Sequence, residues 1–402
     1  MFKKIFAGIA ILFVGFILVA CNGAGENGLV ISKVFESTNE GNNIVELYNN
    51  SSKDVNLKNY TLDIYTNGSK EITRTIALDG TIKANDYFII GSNGLDSSLG
   101  ITLDVVFDGN TLPYNGNDVI QLSYKGKIHD LLGFIGSDLE FYRNLTLIRL
   151  GEKEDYQASA EYDRYNFIQY ETDVFQFLGN DNHEVKTLED LYAGPRLDDK
   201  YKEIPLIDPN NPNNGLGGAS LATLTGIADG DTASFKTSKI SGSFRYYYID
   251  TPERTGSPYV EPEPWGNVAS KYNKEYQLNN PETKELYVQS IPNYTLTDSN
   301  GRYIGLIWIN GHLSQFLIVS EGLSTPLPIV YEAIDIFFTY KKVPYLTYML
   351  FAEQRARENG WAMFGFPANP DGDKSPDWNY TTNKSSTENP VWQPHLPMPW
   401  DN

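Results

Sequence analysis

Between Gly28 and Leu150 the chain is cut into short runs that favour pairing as strands. They read "LVISKVF", "NNIVELYNN", "YTLDIYT", "RTIAL", "DYFIIGS", "DVVFDG", "DVIQLSY" and "LTLIRL". Val, Ile, Tyr and Phe suit a pleated, half-buried surface. Asn, Gly, Asp and Ser separate the runs at regular spacing, as hairpin turns require. That pattern predicts a β-sandwich over residues 28–182. Cys21 is the single cysteine in 402 residues, so no disulfide can form within the chain. Stability has to come from packing, for which the chain holds 27 Tyr and 20 Phe.

The amino terminus predicts a compartment. Lys3 and Lys4 precede the uncharged run "IFAGIAILFVGFILVA", which ends in Leu18-Val19-Ala20-Cys21. The run is shorter than the roughly 20 residues of a spanning helix and has the layout of a secretory leader. Leu-Val-Ala-Cys resembles a bacterial lipobox. That resemblance implies cleavage after residue 20, lipid on Cys21, a tether over 21–27 and a membrane-anchored protein facing the outside of the cell. An uncleaved anchor and a plain secreted protein are the alternatives.

Charge narrows the function. The formal net charge is −19, and most of the acidic surplus lies before residue 219. No segment has the basic excess of a typical nucleic-acid binder. Tight non-specific DNA binding is disfavoured. Hydrolysis at a site with a few placed arginines and a metal is not.

The stretch "NNIVELYNNSSKDVNLKNYTLDIY" resembles the lamin-tail domain of bacterial surface proteins. Glu46, Tyr48, Asn49, Asp54, Leu57, Asn59, Tyr60 and Leu62 occupy its pattern, and "FIIGSNG" matches the following strand. The resemblance implies an immunoglobulin-like fold and an unknown surface ligand. Glu46 is read as a carboxylate that satisfies nearby backbone amides.

Residues 183–218, with "EIPLIDPNNPNNGLGGAS", are Asn-, Pro- and Gly-rich and predict a linker. A second domain is expected over 219–367 and an irregular tail over 368–402. "NPDGD" in that tail lacks the later ligand spacing of an EF-hand, because Tyr380 stands at the twelfth position from Asn369. A solvated turn is the expectation there.

Three pieces of the second domain carry chemistry. "DGDT" at 229–232 alone is an ordinary hairpin signal. "FRYYYIDTPE" places Arg245, Asp250 and Glu253 within nine residues, with Pro252 extending Thr251. Strand alternation would send Arg245 and Asp250 to opposite faces unless a bulge or strand end intervenes. "DSNGRYIGLIWING" reads as a hairpin with Arg302 just past its turn. The bland alternative is a structural Arg245–Glu253 ion pair.

In this order the three pieces resemble the staphylococcal nuclease-like (thermonuclease) family. "PWGNVASKYNKEY", "GHLSQFLIVSEGLS" and "YLTYMLFAEQRARENGWAMFG" match its helices. The resemblance implies an OB-fold β-barrel with three helices, so the whole chain is expected to be mainly β. It implies that Asp231, Asp250 and the Thr251 carbonyl bind Ca2+, and that Glu253 orients and deprotonates water. Arg245 and Arg302 would grip the scissile phosphate. Cleavage at the 5′ oxygen of DNA or RNA follows from the resemblance. The four histidines, at 129, 183, 312 and 395, are scattered, which argues against zinc.

The chain also departs from the family. Glu261 and Glu263 stand where relatives often have a basic loop, and "DSNGR" lacks a Lys and a Tyr of close relatives. Residues 325–343 are long, and Tyr331 is the candidate for stacking on a base. The competing functions are a non-catalytic binding lipoprotein on a nuclease-type scaffold and an adhesin centred on the first domain.

Overall fold

The computed structural model describes residues 28–254, 263, 265–327, 338–365 and 392–400. The leader, Cys21 with its tether, Glu261, Tyr331 and the "NPDGD" turn lie outside the described residues.

Two sheets build the first domain. One runs, edge to edge, Phe167–Tyr170, Thr146–Arg149, Leu29–Phe35, Ile44–Asn49, Tyr87–Ser92 and Val105–Phe107. The other runs Lys127–Leu132, Val119–Tyr124, Tyr60–Tyr65 and Arg74–Ala77. Alternation sets the register. Leu62 pairs Leu122 and Ile64 pairs Ile120, and all four are fully buried. Each such side chain contributes about 1.5–3 kcal/mol by leaving water. This is the sandwich expected from the strand pattern, with the immunoglobulin-like fold that the lamin-tail resemblance implies.

The lamin-tail motif positions fix a corner and a buried charge. Asn49 Nδ2 donates to the Lys53 and Lys83 carbonyls at 2.8 and 3.0 Å, and Asp54 pairs Lys83 at 2.7 Å. Glu46 is 0 % exposed. Its Oε1 accepts from Lys33 Nζ at 2.5 Å and Ser32 Oγ at 2.7 Å, and its Oε2 accepts from Gly179 N at 2.7 Å.

Residues 183–218, expected as a linker, hold structure of their own. Helix α1 (Leu188–Tyr192) starts with a capping box between Thr187 and Asp190 and buries Leu191. Leu206 is buried, and its carbonyl accepts from Ser290 Oγ at 2.6 Å.

The second domain follows with strands β1 (Ala219–Leu221), β2 (Thr223–Ile227), β3 (Thr232–Lys236) and β4 (Ser241–Tyr246). Then come β5 (Ile249–Asp250), β6 (Leu286–Gln289), β7 (Tyr303–Ile309), β8 (His312–Leu313) and β9 (Thr325–Pro326). The main sheet has the order β1-β6-β7-β4-β3-β2, with β8 against β7 and β4–β7 parallel. Its two edges, β1 and β2, are joined by Ala222 alone. The sheet must therefore curl back on itself, as in an OB-fold.

Helices cover that curl. Helix α2 (Gly266–Lys271) continues as a π-helix over Tyr272–Leu278. Helix α3 (Ser314–Ser320) packs on α4 (Tyr345–Asn359), which ends where Gly360 takes φ +62°. Trp308 of β7 meets Tyr345 of α4 edge-on at 5.5 Å. Residues 392–400 lie against this domain: Trp392 contacts Tyr272 and Tyr276, and His395 stacks on Trp361 at 5.1 Å. Arg355 of α4 lies 4.5 Å over Tyr192 of α1, and Lys342 pairs Glu171 of the first domain at 2.7 Å.

Candidate active site

The nine-residue cluster works because its strand stops early. Strand β4 ends at Tyr246, and Tyr248 adopts φ +75°, a conformation uncommon for a bulky side chain. The chain then enters β5, which pairs β9 through Ile249↔Pro326 and Asp250↔Thr325. Ser324 Oγ donates to the Asp250 carbonyl at 3.0 Å. The turn cancels the alternation between Arg245 and Asp250. Of the two devices that could do so, the strand end is the one used.

Arg245 is the hub. Its Nη1 donates to Asp231 Oδ1 at 2.7 Å, and its Nη2 bonds Asp250. Among the described residues its ion pairs are with these two aspartates and not with Glu253. Asp231 is 1 % exposed and Asp250 is 57 % exposed, so the pair spans the boundary between core and solvent. Thr251 donates to Asp231 Oδ2 through its backbone N at 2.7 Å and its hydroxyl at 3.0 Å. Gly230 permits this approach: a Cβ there would sit 2.6 Å from Thr251 Oγ1. Burial pushes the Asp231 carboxyl up to about 6, against the pull of Arg245 and the Thr251 donors.

Glu253 is held through its backbone. Its N donates to Glu263 Oε2 at 2.7 Å, and its carbonyl accepts from Glu263 N at 2.8 Å. Gly266 is required beside it, because a Cβ would lie 2.3 Å from the Glu253 carbonyl. Burial, then Asp229, raise the Glu253 carboxyl above the ordinary range; Arg245 and Arg302 act the other way. Glu253 thus lies in the field of both arginines.

Arg302 reaches the same face through the β4–β7 ladder. Arg245 pairs Ile304, two residues beyond Arg302, and parallel partners share a face. Asp298 accepts from Arg302 Nε at 2.8 Å and from its backbone N at 2.9 Å. This leaves the terminal nitrogens of a 31 % exposed guanidinium for a ligand. An adjoining cavity of about 590 Å³ is lined by Arg245, Asp250, Tyr247, Tyr248, Tyr294 and Leu327.

Three contributors escaped the sequence reading. Asp229 adds charge beside Asp231 and Glu253. Asp298 orients Arg302, and the "DSNGR" string carried that signal. Glu263 clamps the Glu253 backbone, although its position in an acidic loop suggested only repulsion.

Residues 243–363 match the family model of the Staphylococcal nuclease homologue. Residues 22–136 match that of the Lamin Tail Domain. The chain carries a lamin tail domain and a staphylococcal nuclease homologue domain. Each match spans under a third of the chain, and no curated protein matches it. The nuclease homologue match begins at Ser243, so Asp231 lies upstream of it. The Arg245 and Thr251 contacts, not the match, bring Asp231 into the site.

The donor set of the nuclease homologue domain fits a hard cation. Asp231 and Asp250 both bond the Arg245 guanidinium, and with the Thr251 carbonyl they supply oxygen donors of the kind a hard cation takes. Among the described residues no three Asp, Glu, His or Cys groups could hold a metal by themselves. Calcium takes about six to eight oxygens, so water and substrate would complete its shell.

Proposed function

We propose that the chain is a calcium-dependent nuclease that hydrolyses phosphodiester bonds of DNA or RNA outside the cell. A nuclease-type scaffold is established by the family match. What supports activity is one observation: Arg245 ties buried Asp231 to exposed Asp250, and Arg245 and Asp250 line an open cavity. A structural ion bridge needs one acid. Here the acids outnumber the bridge, and one arginine keeps its donors for a ligand.

Asp231, Asp250 and the Thr251 carbonyl would hold calcium, which when bound supplies positive charge against the anionic transition state. Glu253, with its raised proton affinity, accepts a proton from the attacking water. The water oxygen bonds phosphorus as the bond to the 5′ oxygen breaks. Arg302 offers paired donors to the phosphate oxygens and steadies the leaving oxygen. Arg245 joins it once a phosphate competes with the two aspartates for its guanidinium. Tyr247 and Tyr294, 5.8 Å apart at the cavity wall, give a base flat surfaces to lie against.

Lipid on Cys21 would tether the enzyme to the outer membrane face and suit it to scavenging. The test is incubation of the full chain with DNA and with RNA, in calcium and in chelator. Calcium-dependent fragments are expected; intact polymer in both arms sinks the nuclease. Cys21→Ser is expected to release the protein from membranes, and retention would remove the lipid tether.

A further inference from the structure

Strands β3 and β4 bury one face and present the other. Ala233, Phe235, Phe244 and Tyr246 are at most 2 % exposed and form the inner face. Alternation turns Ser234, Lys236, Ser241, Ser243 and Arg245 outward, while Thr232 stays buried with its hydroxyl on Asp231 Oδ1. These pair directly across the ladder as Thr232↔Arg245, Ser234↔Ser243 and Lys236↔Ser241. Neighbouring β2 offers Gly226 opposite Ser234, with no side chain to block the way. A strip of hydroxyls therefore runs from Arg245 to an exposed lysine.

The far end of the strip is basic. Lys239 stands in the β3–β4 turn, and a cavity of about 880 Å³ opens beside Lys236. Lys284, Thr237 and Thr283 share its lining, which contains no carboxylate residue. Glu282 approaches Lys284 from outside at 3.6 Å.

We infer that this outer face of β3 and β4 is a track for the backbone of a single nucleic-acid strand, leading from the scissile site to Lys236 and Lys239. The ligand class rests on the nuclease reading above. Hydroxyls and lysines are common phosphate contacts, and OB-folds use this pair of strands for oligonucleotides. Five residue steps at about 3.3 Å put Lys236 about 17 Å from Asp231. An extended single strand spaces its phosphates about twice as far apart as the roughly 3.4 Å rise of a duplex strand, so the track holds about two to three phosphates. Only substrates longer than that reach the lysines.

The test is fluorescence anisotropy on the full chain in chelator, with labelled single-stranded DNA of 2 and 20 nucleotides. Lys236→Glu/Lys239→Glu is expected to weaken binding of the 20-mer about tenfold or more, with a much smaller effect on the dinucleotide. Removing one lysine that neutralises a phosphate should flatten the salt dependence by about 0.7 in log–log slope. Ser243→Glu, which sets a carboxylate in mid-track, should repeat the length-dependent loss. Lys53→Glu/Lys58→Glu in the first domain makes the same charge change and should bind like the unmodified chain. Equal affinity for track and control variants, or equal losses on both lengths, overturns the track. So does displacement by polyglutamate as effective as by DNA. A chain that binds the 20-mer through these lysines yet never cleaves in calcium overturns the nuclease reading alone. A chain that cleaves while its track variant binds normally overturns the track alone.

Discussion

Two ion-paired clusters, one from each domain, differ in how their charge is closed. In the sandwich, Lys33 and Glu46 are 2 % and 0 % exposed, and Glu46 also accepts from Ser32 and Gly179. Charges balance one to one, and a serine hydroxyl and one backbone N–H bond the carboxylate as well. In the nuclease homologue domain, Arg245 faces two aspartates, with Asp229 and Glu253 nearby and half of Asp250 in solvent. The first arrangement has nothing left to offer a ligand. The second has negative charge that its own cation does not neutralise, and an opening through which more can arrive. Burial alone does not distinguish a site from a scaffold; uncompensated charge at an opening does.

Altering Glu253 tests that contrast most severely. Glu253→Gln keeps the shape and the Glu263 backbone bonds but removes the proton acceptor. Turnover is expected to fall about 10²–10⁴-fold, with unchanged circular dichroism. Retained turnover would remove Glu253 from the base role. Lys33→Met tests the closed pair. It leaves the Glu46 carboxyl in the core without its cation, and should cost about 3–5 kcal/mol of first-domain stability by urea unfolding. Lys33→Met/Glu46→Leu should recover most of that loss, since the pair then departs together. If the double variant is no better than the single, the coupling claimed for this pair is wrong.

What could be read from sequence divides along the same line. Strand runs and turns gave the sandwich, because alternation and turn chemistry are local, while the OB-fold came from ordered motifs that resemble the nuclease family. The charge cluster was also legible, since Arg245, Asp250 and Glu253 are neighbours in sequence. The convergence of Arg245 with Asp250 was not, because it depends on Tyr248 taking positive φ, and nothing in "RYYYID" announces that. The order within 183–218 was hidden for a related reason. Its polar composition reads as open chain, while α1 gains its stability from packing on α4 at the other end of the sequence. Glu263 showed a charge but not a clamp, because its partners are backbone groups that no motif records.

Arg302 sharpens the comparison at the phosphate end. Arg302→Lys keeps the charge but loses the planar fork that Asp298 aims. Turnover should fall about 10²–10³-fold on either polymer, read as kcat on a short oligonucleotide. A near-normal kcat would mean that charge alone suffices there. Asp298→Asn leaves the guanidinium but loosens its aim, so its kcat loss should be smaller than that of Arg302→Lys. An equal or larger loss would give Asp298 a part beyond positioning.

Glu321 is a third kind of buried acid, closed by backbone alone, and its effect should be the smallest. It is 1 % exposed and accepts from His395 N at 2.8 Å and Leu396 N at 2.9 Å. Burial pushes its carboxyl up to about 7, although those two donors and Arg355 pull it down. The folded chain therefore holds the proton more tightly than the unfolded one. The stability this contributes is complete below about pH 4.5 and is lost as pH rises through about 7. At about 1.4 kcal/mol per pH unit the loss is at most ~3 kcal/mol. The urea midpoint of the C-terminal transition should drop over that window, and Glu321→Gln should flatten the drop. Deleting residues 392–402 should flatten it too, by returning the carboxyl to water. A pH profile that neither change alters would mean that the docked tail does not hold this acid out of solvent.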